Sequence, residues 1–337
     1  MYGLQKRVVY IILAMSLVLL GVFVMTSGKD LQILEKIETK EYREFWVSRV
    51  DKVGALEAYE EFKQINESVS IGNQHLASHV IGDVLYEKEG INGVTICDLS
   101  FGFGCFHGFF GVALSTEGTG SVSDLDTACV NSFGVLGTGC MHGIGHGILE
   151  FFGYDRLDDA LDMCGDTTQV VSILGCTSGV FMEYNTPLEE TNGGGLVTRP
   201  RLFDEKNAYG PCISADDQYK ESCYFELGSW WALSIGEDWK RMEGLCAGLS
   251  HTENARFCML GVGYSLGNMS DYDVDSISFV CDSMDRESRL HCRSGSHFAL
   301  WSNPMYRENA ANLCEVFEGN EKGVCLEEGR PDLWVNF

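Results

Sequence analysis

Apolar residues fall along this chain in three rhythms. Residues 8–26 are 19 consecutive residues without a charge, preceded by Lys6 and Arg7, and a run of that length crosses a ~30 Å hydrocarbon layer. The flanking cations orient it with the N-terminus inside and the rest of the chain outside. A cleavable signal peptide is the competing reading, but its apolar region usually runs about 7–15 residues before a small-x-small site. Residues 1–29 are therefore read as a signal anchor with a transmembrane helix. Over 30–66 apolar positions recur at helical spacing amid charges: Leu31, Leu34 and Ile37, then Leu56, Tyr59 and Phe62. That pattern predicts a helical stalk and cap over 30–70. From residue 71 onward, short amphipathic stretches such as Asp158-Asp159-Ala160-Leu161-Asp162-Met163 alternate with longer apolar ones such as Phe109-Phe110-Gly111-Val112-Ala113-Leu114.

The cysteines set the period of this alternation. All 14 pair along the sequence as Cys97/Cys105, Cys129/Cys140, Cys164/Cys176, Cys212/Cys223, Cys246/Cys258, Cys281/Cys292 and Cys314/Cys325. Successive pairs begin 32–35 residues apart, except for one interval of 48, so the chain carries a repeat of about 34 residues. Zinc sites built on C-x-x-C and c-type haem on C-x-x-C-H are excluded, because neither string occurs. Seven local disulfides formed outside the cytoplasm account for the pattern. The first cysteine of a pair ends one helical stretch and the second opens the next, with glycine three positions later at Gly108, Gly143, Gly179, Gly261 and Gly295. The expected fold is all-α: a solenoid of about seven disulfide-closed αα-hairpins over 71–337. Its period is close to that of tetratricopeptide repeats, without their tryptophan and proline signature. The long interval places an insertion near 186–210, where Thr186-Pro187, Asn192-Gly193-Gly194-Gly195 and Arg199-Pro200 mark loop structure. A surface loop is expected there rather than a lid.

Histidine changes the picture from architecture to chemistry. Five of eight, His75, His79, His107, His142 and His146, lie between residues 75 and 146. His75/His79 and His142/His146 are i,i+4 pairs, which puts two imidazoles on one helix face. Each row runs on into carboxylates, Asp83 and Glu87 after His79 and Glu150 after His146. His107 and His142 occupy the same place in consecutive units, two residues after the second cysteine. The later units hold Ser178, Phe225, Leu260, Ser294 and Glu327 there, so histidine is not a requirement of the repeat. Five neutral imidazoles arranged in this way point to a metal site. One feature opposes it: Gly143, Gly145 and Gly147 each cost a helix about 1 kcal/mol relative to alanine. Either this helix packs very closely on a neighbour or the segment is a loop. His251, His291 and His297 stand apart and are read as structural.

The strings His75-Leu-Ala-Ser-His79-Val-Ile-Gly82, Cys105-Phe-His107-Gly108 and Gly139-Cys140-Met-His142-Gly143-Ile-Gly-His146-Gly147 resemble those of uncharacterised extracytoplasmic bacterial and archaeal proteins. Those proteins combine an H-x-x-x-H-x-I-G helix with G-C-x-H-G repeats. The resemblance covers roughly residues 72–150 and implies a shared site, without supplying a reaction.

With every cysteine oxidised, the ligands are nitrogen and oxygen, a set that suits a divalent transition metal such as Zn, Cu or Fe. Asp83 and Glu150 are the candidate proton acceptors beside metal-bound water. The zinc-protease string H-E-x-x-H is absent, since Gly143 stands where its glutamate would be, and neither G-x-S-x-G nor a P-loop occurs. Outside the anchor, 49 acidic residues face 21 basic ones, a surface that repels nucleic acid. The alternative to a metalloprotein is a metal-free interaction scaffold holding a protein partner on Trp230-Trp231, Trp301 and Trp334. Asn66-Glu67-Ser68 and Asn268-Met269-Ser270 also fit the N-glycosylation pattern.

Overall fold

The computed structural model describes residues 40–67, 69, 71–134, 137–168, 173–190 and 196–330. The apolar run 8–26 and Trp334 lie outside these residues. Among the described residues the chain is helical apart from one two-stranded hairpin. Helices α1 (Lys40–Val53) and α2 (Ala55–Asn66) meet at Gly54, whose φ of +90° turns the chain where a side chain would be strained. They bury Tyr42, Trp46, Tyr59 and Phe62 in the same core as the helices that follow. No single helix among the described residues is long and apolar enough to cross a membrane.

The long helices pack in chain order, each against the next. They are α3 (Ile71–Glu89), α4 (Gly104–Glu117), α6 (Thr138–Phe152), α8 (Cys176–Asn185), α9 (Lys220–Ser234), α11 (Thr252–Met269), α13 (Arg286–Ser302) and α15 (Gly319–Glu328). Shorter helices α5 (Val122–Phe133), α7 (Leu157–Met163), α10 (Trp239–Ala247), α12 (Val274–Asp282) and α14 (Arg307–Ala310) lead into the first cysteine of their pairs or carry it. All seven predicted disulfides are present, with Cα separations of 5.5–5.7 Å, and no cysteine is free. Closing a loop of 11 or 12 residues stabilises each unit by roughly 3 kcal/mol in the chain-entropy picture. Peptide mapping without reductant should recover these seven neighbouring pairs alone, and thiol titration of the denatured protein should find no free sulfhydryl; a link between units would contradict the fold.

Two units depart from the expected hairpin. In the first, a six-residue 3₁₀ turn over Gly90–Thr95 stands in for the leading helix; it begins at Gly90, whose φ of +59° breaks the α-helical path. In the fourth, the insertion displaces the leading helix, and Cys212 sits in a series of turns after Pro211. The insertion is not a plain surface loop either. Strands β1 (Leu188–Glu190) and β2 (Leu196–Thr198) pair antiparallel with Leu188 opposite Thr198. The chain then returns over α9, where Arg201 O accepts from Trp230 Nε1 at 2.6 Å and Ala208 O from Trp231 Nε1 at 3.1 Å. Trp230 and Trp231 are fully buried as a result, which removes them as an exposed partner platform. Trp301 is half-buried between the guanidinium groups of Arg307 and Arg330. Asn66 is also fully buried and donates to Phe62 O at 2.9 Å, so it offers no glycan acceptor.

The glycines three residues past the second cysteines explain how the long helices lie so close together. A Cβ at Gly108 would fall 2.0 Å from His79 O, at Gly179 1.9 Å from His142 O, at Gly261 1.8 Å from Phe225 O, and at Gly295 2.0 Å from Leu260 O. At Gly143 it would meet Phe106 at 2.9 Å. Each glycine thus lets the backbone of the preceding long helix touch its own. Gly145 returns the contact from the other side, with a Cβ position 1.9 Å from Cys176 O. The glycine-rich segment 138–152 is therefore a helix in close packing, and its propensity cost is offset by backbone contact.

Candidate metal centre

The same close approach brings the histidine rows together. His75 and His79 share one face of α3, His107 stands on α4, and His142 and His146 share one face of α6. Within the pairs, Nε2 of His79 lies 3.2 Å from Nε2 of His75, and Nε2 of His146 lies 3.1 Å from Nε2 of His142. Tetrahedral ligands at ~2.0–2.1 Å from one ion stand at about that separation. His107 lies between the pairs, its ring centroid 5.1 Å from those of His75 and His79, 5.2 Å from that of His142 and 3.9 Å from that of His146. Two groups able to hold a metal ion result, His75/His79/His107 and His107/His142/His146, each with ligand atoms within 4.8 Å of one another. His107 belongs to both.

Hydrogen bonding fixes which nitrogens face inward. The Nδ1 of His75 is 2.9 Å from Phe101 O. A carbonyl can only accept, so Nδ1 carries the proton and Nε2 keeps its lone pair. The turn that delivers this carbonyl is strained, with Phe101, Gly102 and Phe103 at φ of 55°, 61° and 67°. Non-glycine residues in this region cost about 1–3 kcal/mol each and persist where packing over-determines them. The Nδ1 of His146 pairs with Glu183 Oε2 at 2.9 Å, and Tyr154 OH donates to Glu183 Oε1 at 2.6 Å. A carboxylate behind an imidazole in this manner orients metal-ligating histidines. Both ring nitrogens of His107 and Nδ1 of His142 are buried without a hydrogen-bond partner, an arrangement that costs about 1–3 kcal/mol per group unless something binds there. Burial holds all five imidazoles below the usual histidine range, reinforced by neighbouring imidazoles at His79, His107, His142 and His146. They are neutral, which is the ligating form. The donor set and its unpaired nitrogens fit a divalent transition metal.

Asp83 and Glu150 border a cavity of about 220 Å³ on one side of the cluster, together with His79, His107, His146 and Glu183. Desolvation pushes Asp83 up to about 8 against the opposing pull of Arg43. Among the described residues neither Asp83 nor Glu150 makes a hydrogen bond to an imidazole of the cluster; the carboxylate that does is Glu183. Sequence reasoning passed over it, although it is the only charged side chain in the ten residues of α8. A second residue missed is Glu226, buried in α9 with Ser178 Oγ donating to its Oε1. Burial pushes Glu226 up to about 8 from 4.5. The folded protein therefore holds this proton where the unfolded chain has released it, and stability should fall as pH rises from about 5 to 8. Glu226→Gln should flatten that fall, measured as the urea midpoint across the same range. Among the other histidines, His291 pairs with Glu328 Oε2 at 2.9 Å, and His297 Nδ1 lies 3.3 Å from Cys325 O; neither they nor His251 joins a metal-competent group among the described residues. No family model, no curated protein and no solved structure matches this chain.

Proposed function

We propose that this protein is an extracytoplasmic metal-binding protein, tethered by residues 8–26, whose first repeat units hold divalent transition-metal ions on His75, His79, His107, His142 and His146. The observation that carries the reading is the pair of histidine triads sharing His107, with buried ring nitrogens that have no other partner. Seven disulfides support an oxidising compartment. The packing of each long helix on the next supports a solenoid-like repeat array. A metal bound here supplies Lewis acidity, or one-electron chemistry if it is copper or iron. The protein's own part is to keep the imidazoles neutral, to orient His146 through Glu183 and His75 through Phe101 O, and to hold Asp83 and Glu150 in a polar space beside them. Hydrolytic or redox chemistry at such a site is the enzymatic form of the proposal.

The test is elemental analysis of the full chain purified without chelator, beside a His142→Ala/His146→Ala double variant. Near-stoichiometric zinc, copper or iron in the natural chain, clearly reduced in the variant, supports the reading. A natural chain without metal, and unable to take it up on titration, leaves the interaction-scaffold reading instead.

A further inference from the structure

The imidazole cluster borders two chambers, the larger mainly apolar and the smaller more polar. His79, His107, His146, Glu183 and Leu188 border both. The smaller chamber is the one that holds Asp83 and Glu150. The larger, of about 420 Å³, is walled by apolar side chains that include Leu76, Phe101, Phe103, Leu174 and Met182. That volume falls in the ~300–1,000 Å³ range of sites for small organic molecules. All five cluster histidines line it, so whatever occupies it lies against the cluster. The hairpin of the insertion supplies part of its wall through Leu188 and Thr198. The exposed Leu233 and Met269 stand at its mouth beside Asp271.

Charge restricts the occupant further. Three acidic side chains, Glu183, Glu226 and Asp271, border the larger chamber, Glu226 keeping its proton through burial, and no lysine or arginine does among the described residues. An anion entering would leave water for an apolar space with no cationic side chain to repay the desolvation, and would meet the acidic Asp271 at its mouth. An apolar molecule gains about 25 cal/mol for each Å² it buries, and Ser229 and Asn268 offer it neutral polar contacts. Resting on the metal-site reading above, we infer that the larger chamber binds a neutral or cationic, largely apolar small organic molecule and presents it to the histidine cluster.

The experiment uses the full chain in zwitterionic lipid nanodiscs and two probes of one skeleton, neutral phenylnaphthylamine and anionic anilinonaphthalene sulfonate. Binding is read as energy transfer from tryptophan, Trp230 being the chain neighbour of the lining residue Ser229, with empty nanodiscs as the blank. Saturable binding of one neutral probe per chain is expected, at least tenfold tighter than the sulfonate. Ser229→Phe, which fills the chamber, should weaken the neutral probe at least tenfold. Should that variant fail to fold, Leu233→Lys with Asp271→Asn changes only exposed residues at the mouth, and it should narrow the preference between probes at least threefold. Equal affinity for both probes, no saturation, or a preference untouched by the mouth variant overturns the inference. Metal content is measured on the same samples. Metal without probe binding overturns the chamber and leaves the metal reading in place; probe binding to a chain that takes up no metal supports the chamber and overturns the metal reading.

Discussion

His107→Ala is expected to lower the metal content of the purified protein to background, a larger loss than alanine at any other histidine of the cluster. The reason is its place in both triads. His75→Ala leaves His107, His142 and His146 together, and His142→Ala leaves His75, His79 and His107. Only the loss of His107 reduces both groups to two imidazoles. Outer-shell changes already weaken metal binding by about 10–100-fold, so loss of one ligand in three should exceed that. The fold should survive, because both ring nitrogens of His107 are unpaired and buried. Their removal relieves a desolvation cost of about 1–3 kcal/mol, against a cavity term of similar size. Elemental analysis and thermal unfolding with and without chelator read the two effects separately. If His75→Ala and His142→Ala emptied the protein as fully as His107→Ala, the two triads would act as one five-ligand site.

Gly145→Ala and Gly179→Ala are expected to be among the most destabilising single substitutions in the chain. Each would place a methyl group 1.9 Å from a backbone carbonyl oxygen of the facing helix, Cys176 O and His142 O respectively. A flexible side chain can move aside, but a helix backbone pinned by a disulfide cannot. Overpacking ordinarily costs about 1–3 kcal/mol, and here the loss should reach or pass the upper end, lowering Tm by roughly 4 °C or more. Relief requires α6 and α8 to separate, which also pulls His146 from Glu183, so metal content should fall together with Tm. Gly244→Ala is the matched control. It lies inside α10 with nothing within 4 Å of the Cβ position, and alanine there should stabilise by about 0.5–1 kcal/mol. Parallel loss at all three positions would mean that helix separation is not what these glycines control.

The parts of this structure that were legible in the sequence are those set by local spacing. Cysteines 8–12 residues apart can reach each other without help from the rest of the fold. Histidines four apart share a helix face wherever the helix goes, and the common place of His107 and His142 in adjacent units predicted their proximity. What escaped notice depends on a neighbouring helix. Glu183 belongs to a unit without a motif histidine and reaches His146 only because α6 and α8 touch through Gly145 and Gly179. Trp230 and Trp231 read as exposed because nothing local reveals that residues 199–212 fold back across α9. The glycines of α6 read as a cost because propensity counts a helix alone, whereas here their missing side chains are the surface against which the next helix lies.

The short reach of every disulfide also bears on how the protein is made. Fourteen cysteines in a chain of 337 residues offer a very large number of wrong pairings. In this protein each cysteine's partner is always the next or the previous one along the chain, and no loop has to wait for a distant segment. An oxidant acting on a chain that emerges N-terminus first, joining each second cysteine to the one before it, would make all seven native bonds in order, so that slow reshuffling would be needed only to repair mistakes.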